Sequence, residues 1–219
     1  HELKTPLTSI SGYAEIIREG MVKSEDVGRF AGKIYEEAQR LITLVEDILN
    51  LSHLDEGAPG QERRQGIDLY ALCERAVASL AEAARQRGIA ISLTGSRQRV
   101  DGAEKLLAEI IFNLCDNAIK YNQENGHVAV SVTREGDRVV LAVQDTGIGI
   151  PPGETDRVFE RFYRVDKSHS KEIGGTGLGL SIVKHAAAYH DAKIQLDSQL
   201  GRGTRVRVLF PLSQKEAQP

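Results

Sequence analysis

Leu3, Leu7, Ile10, Ala14 and Ile17 recur at intervals of 4, 3, 4 and 3 residues. That spacing is the narrow apolar seam of a helix packed in a bundle. It predicts a first helix from Leu3 to about Glu19, ended by Gly20, with Ser24 as the N-cap of the next. The seam returns at Val27, Phe30, Ile34, Leu41, Leu44, Ile48 and Leu51, so the second helix is long, about Glu25 to Asp55. Two such helices cannot bury their seams alone, whereas two hairpins paired about a two-fold axis make a four-helix bundle. A homodimer through residues 1–57 is therefore expected. The competing arrangement is a hairpin packed within one chain on the domain that follows.

Gly57, Pro59 and Gly60 with the polar run Gln61 to Gly66 read as a linker over 58–66, with a second domain at 67–213 and a tail at 214–219. The chain of 219 residues has room for these two domains. In the second, helices are predicted at Leu69–Gln86, Ala103–Tyr121 and Gly177–His190. Strands with period-two patterns are predicted at Ile89–Leu93, Val128–Thr133, Val139–Val143, Ile194–Asp197 and Thr204–Phe210, with Glu135-Gly136-Asp137 turning between the second and third. Helices and antiparallel hairpins in this order suggest an α+β fold, a helical hairpin followed by a two-layer α/β sandwich.

A hydrophobic share of 41% and a charged share of 27% exclude disordered, collagenous and disulfide-rich chains. The net charge of −3 supplies no basic field for nucleic acid or anionic lipid, so an anionic ligand needs a local site. Cys73 and Cys115 are too few for a disulfide framework or a four-ligand zinc site and are expected to pack in the core of a protein kept reduced. No stretch reaches the ~18 apolar residues of a membrane span and no signal peptide opens the chain. The expectation is a soluble piece of a longer protein, since it starts on His1.

Asn113 and Asn117 lie four apart on one face of a predicted helix, followed by Lys120 and Tyr121. Asn is a poor helix-interior residue, so the pair is either a ligand site, with a carbonyl oxygen suited to Mg2+, or a solvated polar stripe. Asp145-Thr146-Gly147-Ile148-Gly149-Ile150-Pro151 closes a strand with a carboxylate and two glycines, either a plain turn or a close backbone approach to a ligand whose exocyclic amine the carboxylate accepts. Gly174-Gly175-Thr176-Gly177-Leu178-Gly179-Leu180 leads into a helix, where successive N–H groups can cradle phosphate oxygens. No Gly-Lys-Ser/Thr follows, and no strand precedes, so neither a Walker A loop nor a dinucleotide fingerprint applies. Val158-Phe159-Glu160-Arg161-Phe162-Tyr163-Arg164, with the polar run after it, could anchor a lid. In His1-Glu2-Leu3-Lys4-Thr5-Pro6, Thr5 stands where a zincin has its second histidine, which rejects zinc. A neutral imidazole beside a carboxylate is a good nucleophile; an incidental histidine is the alternative for this segment taken alone. The other histidines, His53, His127, His169, His185 and His190, lack metal-ligand spacing and are expected at the surface.

Together these segments resemble the transmitter core of a bacterial two-component sensor histidine kinase, of the class paired with winged-helix-type response regulators. HELKTPLTSI resembles the H box, NLCDNAIKY the N box, DTGIGIP the G1 box, FERFYRVD the F box and GGTGLGLSIVK the G2 box, in family order. The resemblance implies a dimerising histidine-phosphotransfer hairpin joined to a Bergerat-fold ATP-binding domain, with ATP and Mg2+ as cofactors. It implies His1 as phosphoacceptor, Glu2 as the acidic group that activates it, and Thr5 as the polar residue that serves regulator dephosphorylation in bifunctional members. Asn113 matches the Mg2+ ligand, Asn117 and Lys120 nucleotide and phosphate contacts, Tyr121 an adenine-pocket aromatic. Asp145 matches the adenine-reading carboxylate, with Gly147 and Gly149 shaping its pocket. Arg164 matches a cation near the γ-phosphate, while Gly175, Thr176, Gly177, Leu178 and Gly179 match the loop that lines the triphosphate. One departure is His190-Asp191-Ala192 in place of the common His-Gly-Gly, expected to change only a turn.

The resemblance further implies an ATP:protein-histidine phosphotransferase that passes its phosphoryl group to an aspartate of a response-regulator receiver domain. It also implies the cytoplasmic part of a membrane-anchored parent. Two other readings stay open: a related ATPase, with Glu109 as its water-activating residue, and a silent dimerisation and regulator-docking module.

Overall fold

The computed structural model describes residues 3–55, 63–165 and 175–213. Helix α1 (Lys4–Arg18) and helix α2 (Val27–Asp55) form the expected hairpin, with the Tyr13 and Phe30 rings edge to face at 5.8 Å. Gly20, at φ +65°, ends α1: its N–H bonds the carbonyl of Ile17, and that of Met21 reaches Ile16. This pair of bonds is a Schellman cap, which only a residue tolerant of left-handed backbone completes cheaply. Ser24 is not the N-cap of α2. It opens a short 3-10 turn, Ser24–Asp26, whose own N-cap, Lys23, makes no capping side-chain bond.

The second layer structure begins earlier than the predicted linker allows. Strand β1 (Arg64–Asp68) takes the last part of the segment read as linker and pairs antiparallel with β3 (Arg99–Gly102), a two-stranded sheet the sequence pattern did not reveal. Gly66, at φ +71°, sits in the irregular part of that pairing, and its N–H donates to Asp101. Asp68 caps α3 (Leu69–Gln86) by accepting from the Ala71 N–H. The main sheet has five strands in the order β2 (Ala90–Gly95), β4 (His127–Glu135), β5 (Arg138–Asp145), β7 (Gly203–Pro211), β6 (Lys193–Gln199). Only β2 and β4 run parallel, across the crossover that contains α4 (Glu104–Lys120).

One face of this sheet packs against α3, α4 and α5 (Gly179–Tyr189). Leu107, Ile110 and Ile111 of α4 meet Val128, Val130, Leu141, Val208 and Phe210 in a dry core. Cys73 and Cys115 lie inside it, and burial raises both thiols, Cys115 to about 12, so both remain protonated. Among the described residues no helix is long and apolar enough to cross a membrane.

His190, expected at the surface, is fully buried. Its Nε2 accepts the Ala103 N–H at 3.1 Å, and Nδ1 lies 2.6 Å from the Ala186 carbonyl. One imidazole thus joins the start of α4 to the end of α5. Room for the ring exists because residue 102 is Gly; a Cβ there would overlap it. Asp191 follows at φ +53°, the left-handed position that a glycine fills more cheaply. His127 is exposed and His185 half-buried, whereas the side chain of His53 and all of His169 lie outside the described residues.

The hairpin touches the second domain through a small apolar cluster: Leu44, Ile48 and Leu51 of α2 pack on Leu178 and Ile182. These three seam positions follow the arrangement in which a hairpin packs on its own chain. Leu7, Ile42, Val45 and Leu49 stay exposed along the same hairpin.

Candidate functional site

A cleft of about 600 Å³ opens between α4, the exit of β5, the glycine-rich turn before α5 and the lower part of α2. Helix periodicity brings Asn113, Asn117 and Lys120 to the face of α4 that lines it, with Tyr121 at the helix end. Asn113 spends its Nδ2 on the Glu109 carbonyl, 2.9 Å away. Its Oδ1 then faces Gly179, where a Cβ would come within 2.9 Å of it. The amide oxygen is therefore the atom turned to the cleft. Lys120 Nζ holds Asp116 at 2.6 Å, which keeps the ammonium on the cleft wall.

Asp145 ends β5. Its Oδ1 accepts N–H bonds from Gly147 at 2.8 Å and Thr204 at 3.1 Å, which orients the carboxyl and leaves Oδ2 for a ligand donor. Burial raises its pKa above the usual carboxylate value, against the lowering effect of those two bonds. Gly147 is required by close approach: a Cβ there would overlap the Tyr121 carbonyl, which accepts the Ile148 N–H. The cleft wall at this end is apolar, with Ile148 and Ile150 beside Asp145, so a flat heterocycle would find both stacking surface and one polar anchor.

Gly175, Thr176, Gly177 and Gly179 line the other end. Gly177 adopts φ +74°, and its carbonyl accepts the Phe162 N–H at 2.9 Å, so the loop is strapped to the Phe159–Arg164 segment. Phe162 itself sits at φ +61°, a costly conformation for an aromatic residue. Tyr163 and Arg164 line the cleft from that segment. The first N–H groups of α5 have no partner within the helix, and the helix dipole adds positive potential there, so phosphate oxygens suit this end.

Leu178 differs from the expectation. Its side chain is fully buried in the α2 contact, and its N–H points to Thr176 Oγ1 at 3.3 Å. Thr5 lies exposed on the first turn of α1 and does not line the cleft. His1 and Glu2 lie outside the described residues, as does Gly174. Among the cleft residues not singled out in the sequence are two that the hairpin contributes, Thr43 and Asp47 of α2. Nothing in a helix pattern marks a polar residue on the outer face of a hairpin as part of a distant site.

Among the described residues, no group of three His, Cys, Asp or Glu could hold a metal ion by itself. Mg2+ needs less, one or two protein oxygens with the rest from phosphate and water, and the outward Asn113 Oδ1 fits that requirement.

The same architecture recurs in known proteins. A model of the His Kinase A (phospho-acceptor) domain matches residues 1–57, and a model of the Histidine kinase-, DNA gyrase B-, and HSP90-like ATPase matches residues 102–214. The chain belongs to the histidine kinase family. Sensor-like histidine kinase SenX3 of Mycolicibacterium smegmatis is 40% identical over 212 residues, 96% of this chain and 55% of that protein. This histidine kinase chain thus spans about half the length of that relative. Full-length ShkA in complex with AMPPNP is similar with TM-score 0.72 and 26% identity, over 97% of this chain and 44% of the other. Histidine kinase AdeS of Acinetobacter baumannii shares the fold, with TM-score 0.80, 23% identity and coverage of 97% and 98%.

Proposed function

We propose that this histidine kinase core binds ATP in the cleft and transfers its γ-phosphoryl group to His1. The observation that carries the reading is the convergence of Asn113, Asn117, Asp145 and the Gly175–Gly179 loop on one cleft with an apolar end and a phosphate-binding end. Asp145 would take the adenine amine, Tyr121 and Ile148 the ring, and the loop N–H groups with Lys120 and Arg164 the phosphates. Asn113 Oδ1 would hold Mg2+, which supplies charge neutralisation on the triphosphate.

Phosphoryl transfer has a loose transition state, so positioning and charge stabilisation carry the catalysis. An imidazole nitrogen of His1 forms the N–P bond while the bond from the bridging oxygen to Pγ breaks, and ADP leaves with that electron pair. Glu2 would hold the N–H of the other ring nitrogen. An aspartate oxygen of a response regulator then takes the phosphoryl group as the N–P bond breaks. Thr5, one turn further along α1, would serve the reverse, hydrolytic step on the regulator. The hairpin, residues 1–57, would pair with a second copy through its exposed apolar residues, and the ATP-binding domain would begin at Arg64.

The test is label transfer from γ-labelled ATP with Mg2+ to this chain and to its His1→Gln variant. Acid-labile label on the first and none on the second is expected. Bound ATP without label on either overturns the kinase reading. Glu109 favours one other outcome: burial raises its carboxyl, and its Oε2 is buried without a hydrogen-bond partner one turn before Asn113. A carboxyl so placed suits a general base for water. Steady phosphate release without labelled protein would assign that role.

A further inference from the structure

Thr176 sits in the middle of the glycine loop, and its hydroxyl donates to Asp47 Oδ2 at 2.7 Å, a bond between residues 129 apart in the chain. The same Oγ1 receives the Leu178 N–H at 3.3 Å, so this one hydroxyl shapes the loop and ties it to the hairpin. Leu44 and Leu51, flanking Asp47 on α2, are buried against Leu178 and Ile182. The hydrogen bond is part-buried and borders this apolar contact on one side and the cleft on the other.

The loop is built for anions. A carboxylate oxygen on its hydroxyl occupies the kind of position a phosphate oxygen would take. Asp47 also lines the cleft beside Asn113 and Lys120. The charges around it are mixed: Lys120 attracts it, while Glu46, Asp116 and Glu109 share its sign. Lys120 is already held by Asp116. A triphosphate entering this end of the cleft meets an anionic wall contributed by the hairpin.

Resting on the ATP-binding reading above, we propose that Asp47 occupies the phosphate end of the cleft as an internal anion, so that docking of α2 on α5 and binding of a nucleoside triphosphate oppose each other. The bond to Thr176 ties the glycine loop to the hairpin. Binding of the triphosphate breaks that bond, takes over the hydroxyl and loosens the Leu44–Leu178 contact. Hairpin position and nucleotide occupancy are then two readings of one equilibrium, and each must shift the other by the same factor.

The experiment measures affinity for Mg-ATP and for adenosine in the unaltered chain, in Asp47→Asn and in Leu44→Ala, with a thermal melt to verify that each is folded. Asp47→Asn keeps an acceptor for the Thr176 hydroxyl and removes the charge. It is expected to bind Mg-ATP at least about tenfold tighter, since one charge pair about 10 Å apart near a protein surface is already worth that factor. Leu44→Ala, which weakens docking and leaves the charge, is expected to move Mg-ATP affinity in the same direction. Adenosine, which carries no phosphate, is expected to bind the unaltered chain and Asp47→Asn equally. Unchanged or weaker Mg-ATP binding by Asp47→Asn overturns the proposal, and weaker binding assigns Asp47 a supporting role toward the metal. If neither Mg-ATP nor adenosine binds any of the three, the nucleotide reading itself has failed.

Discussion

Replacing His190 with Leu keeps most of the buried volume and deletes two hydrogen bonds, one to the Ala103 N–H and one to the Ala186 carbonyl. An amide left unpaired in a dry site costs about 1–3 kcal/mol. The loss is expected to depend on pH. Burial lowers the pKa of His190, and the neighbouring Arg63 adds to that lowering; the bond to the Ala186 carbonyl and the charge of Asp191 oppose it, whereas the Ala103 N–H, which only an unprotonated Nε2 accepts, favours the neutral ring. The unfolded chain, with His near 6.5, therefore binds a proton that the folded chain refuses. Stability contributed by the neutral ring is complete above about pH 6.5 and falls by up to ~1.4 kcal/mol for each pH unit below it, until the folded pKa is reached. Asp47, Glu109 and Asp145 have raised pKa values, so the folded chain takes up their protons first on acidification, which acts in the opposite direction. Those three are present in both proteins and cancel on subtraction. Urea unfolding of the parent chain and His190→Leu from pH 5.5 to 8 should show a stability gap that is widest above pH 7 and narrows as the pH falls. A gap that stays constant across that range would refute a neutral, doubly bonded ring.

Asp145→Asn should weaken adenine-nucleotide binding about ten- to a hundredfold in a direct titration, since the amide presents an N–H where a carboxylate oxygen faced the ligand, about 1.5–3 kcal/mol; unchanged affinity would remove Asp145 from the site. Gly179→Ala should leave the melting temperature nearly unchanged while reducing Mg2+-dependent nucleotide binding, because the new methyl crowds Asn113 Oδ1. Leu7→Glu with Leu49→Glu, two exposed apolar residues of the hairpin, should convert a dimer into monomers by sedimentation; a dimer that survives both changes would place the partner surface elsewhere.

The long elements were legible because their signal is local and periodic. The seams of α1 and α2, the apolar face of α4 and the alternation in β4 and β5 each need only a few turns or residues to declare themselves. The same holds for the cleft: Asn113, Asn117, Asp145 and the glycines lie in segments whose residue types clash with plain helix or strand, and the structure brings them together. What escaped reading depends on partners far away in the chain. Strand β1, with Gly66 in its middle and arginine at its start, has no apolar alternation and exists only through its pairing with β3. His190 follows a helix end and resembles any terminal polar residue, until Gly102 leaves it a slot. Asp47 shows the same limit at the site, since an aspartate among exposed neighbours on a helix is indistinguishable from a solubilising charge.

Helix α2 is a rod of 29 residues whose start lies at the hairpin turn and whose lower part meets the glycine loop. From Val27 to Asp47 the rod measures about 30 Å along its axis. Pivoted at the turn, it converts an inclination of about 2° into a displacement of about 1 Å at Asp47. That stretch is enough to part a carboxylate from a hydroxyl 2.7 Å away. The hairpin is mechanically a long lever with a brittle catch at its tip.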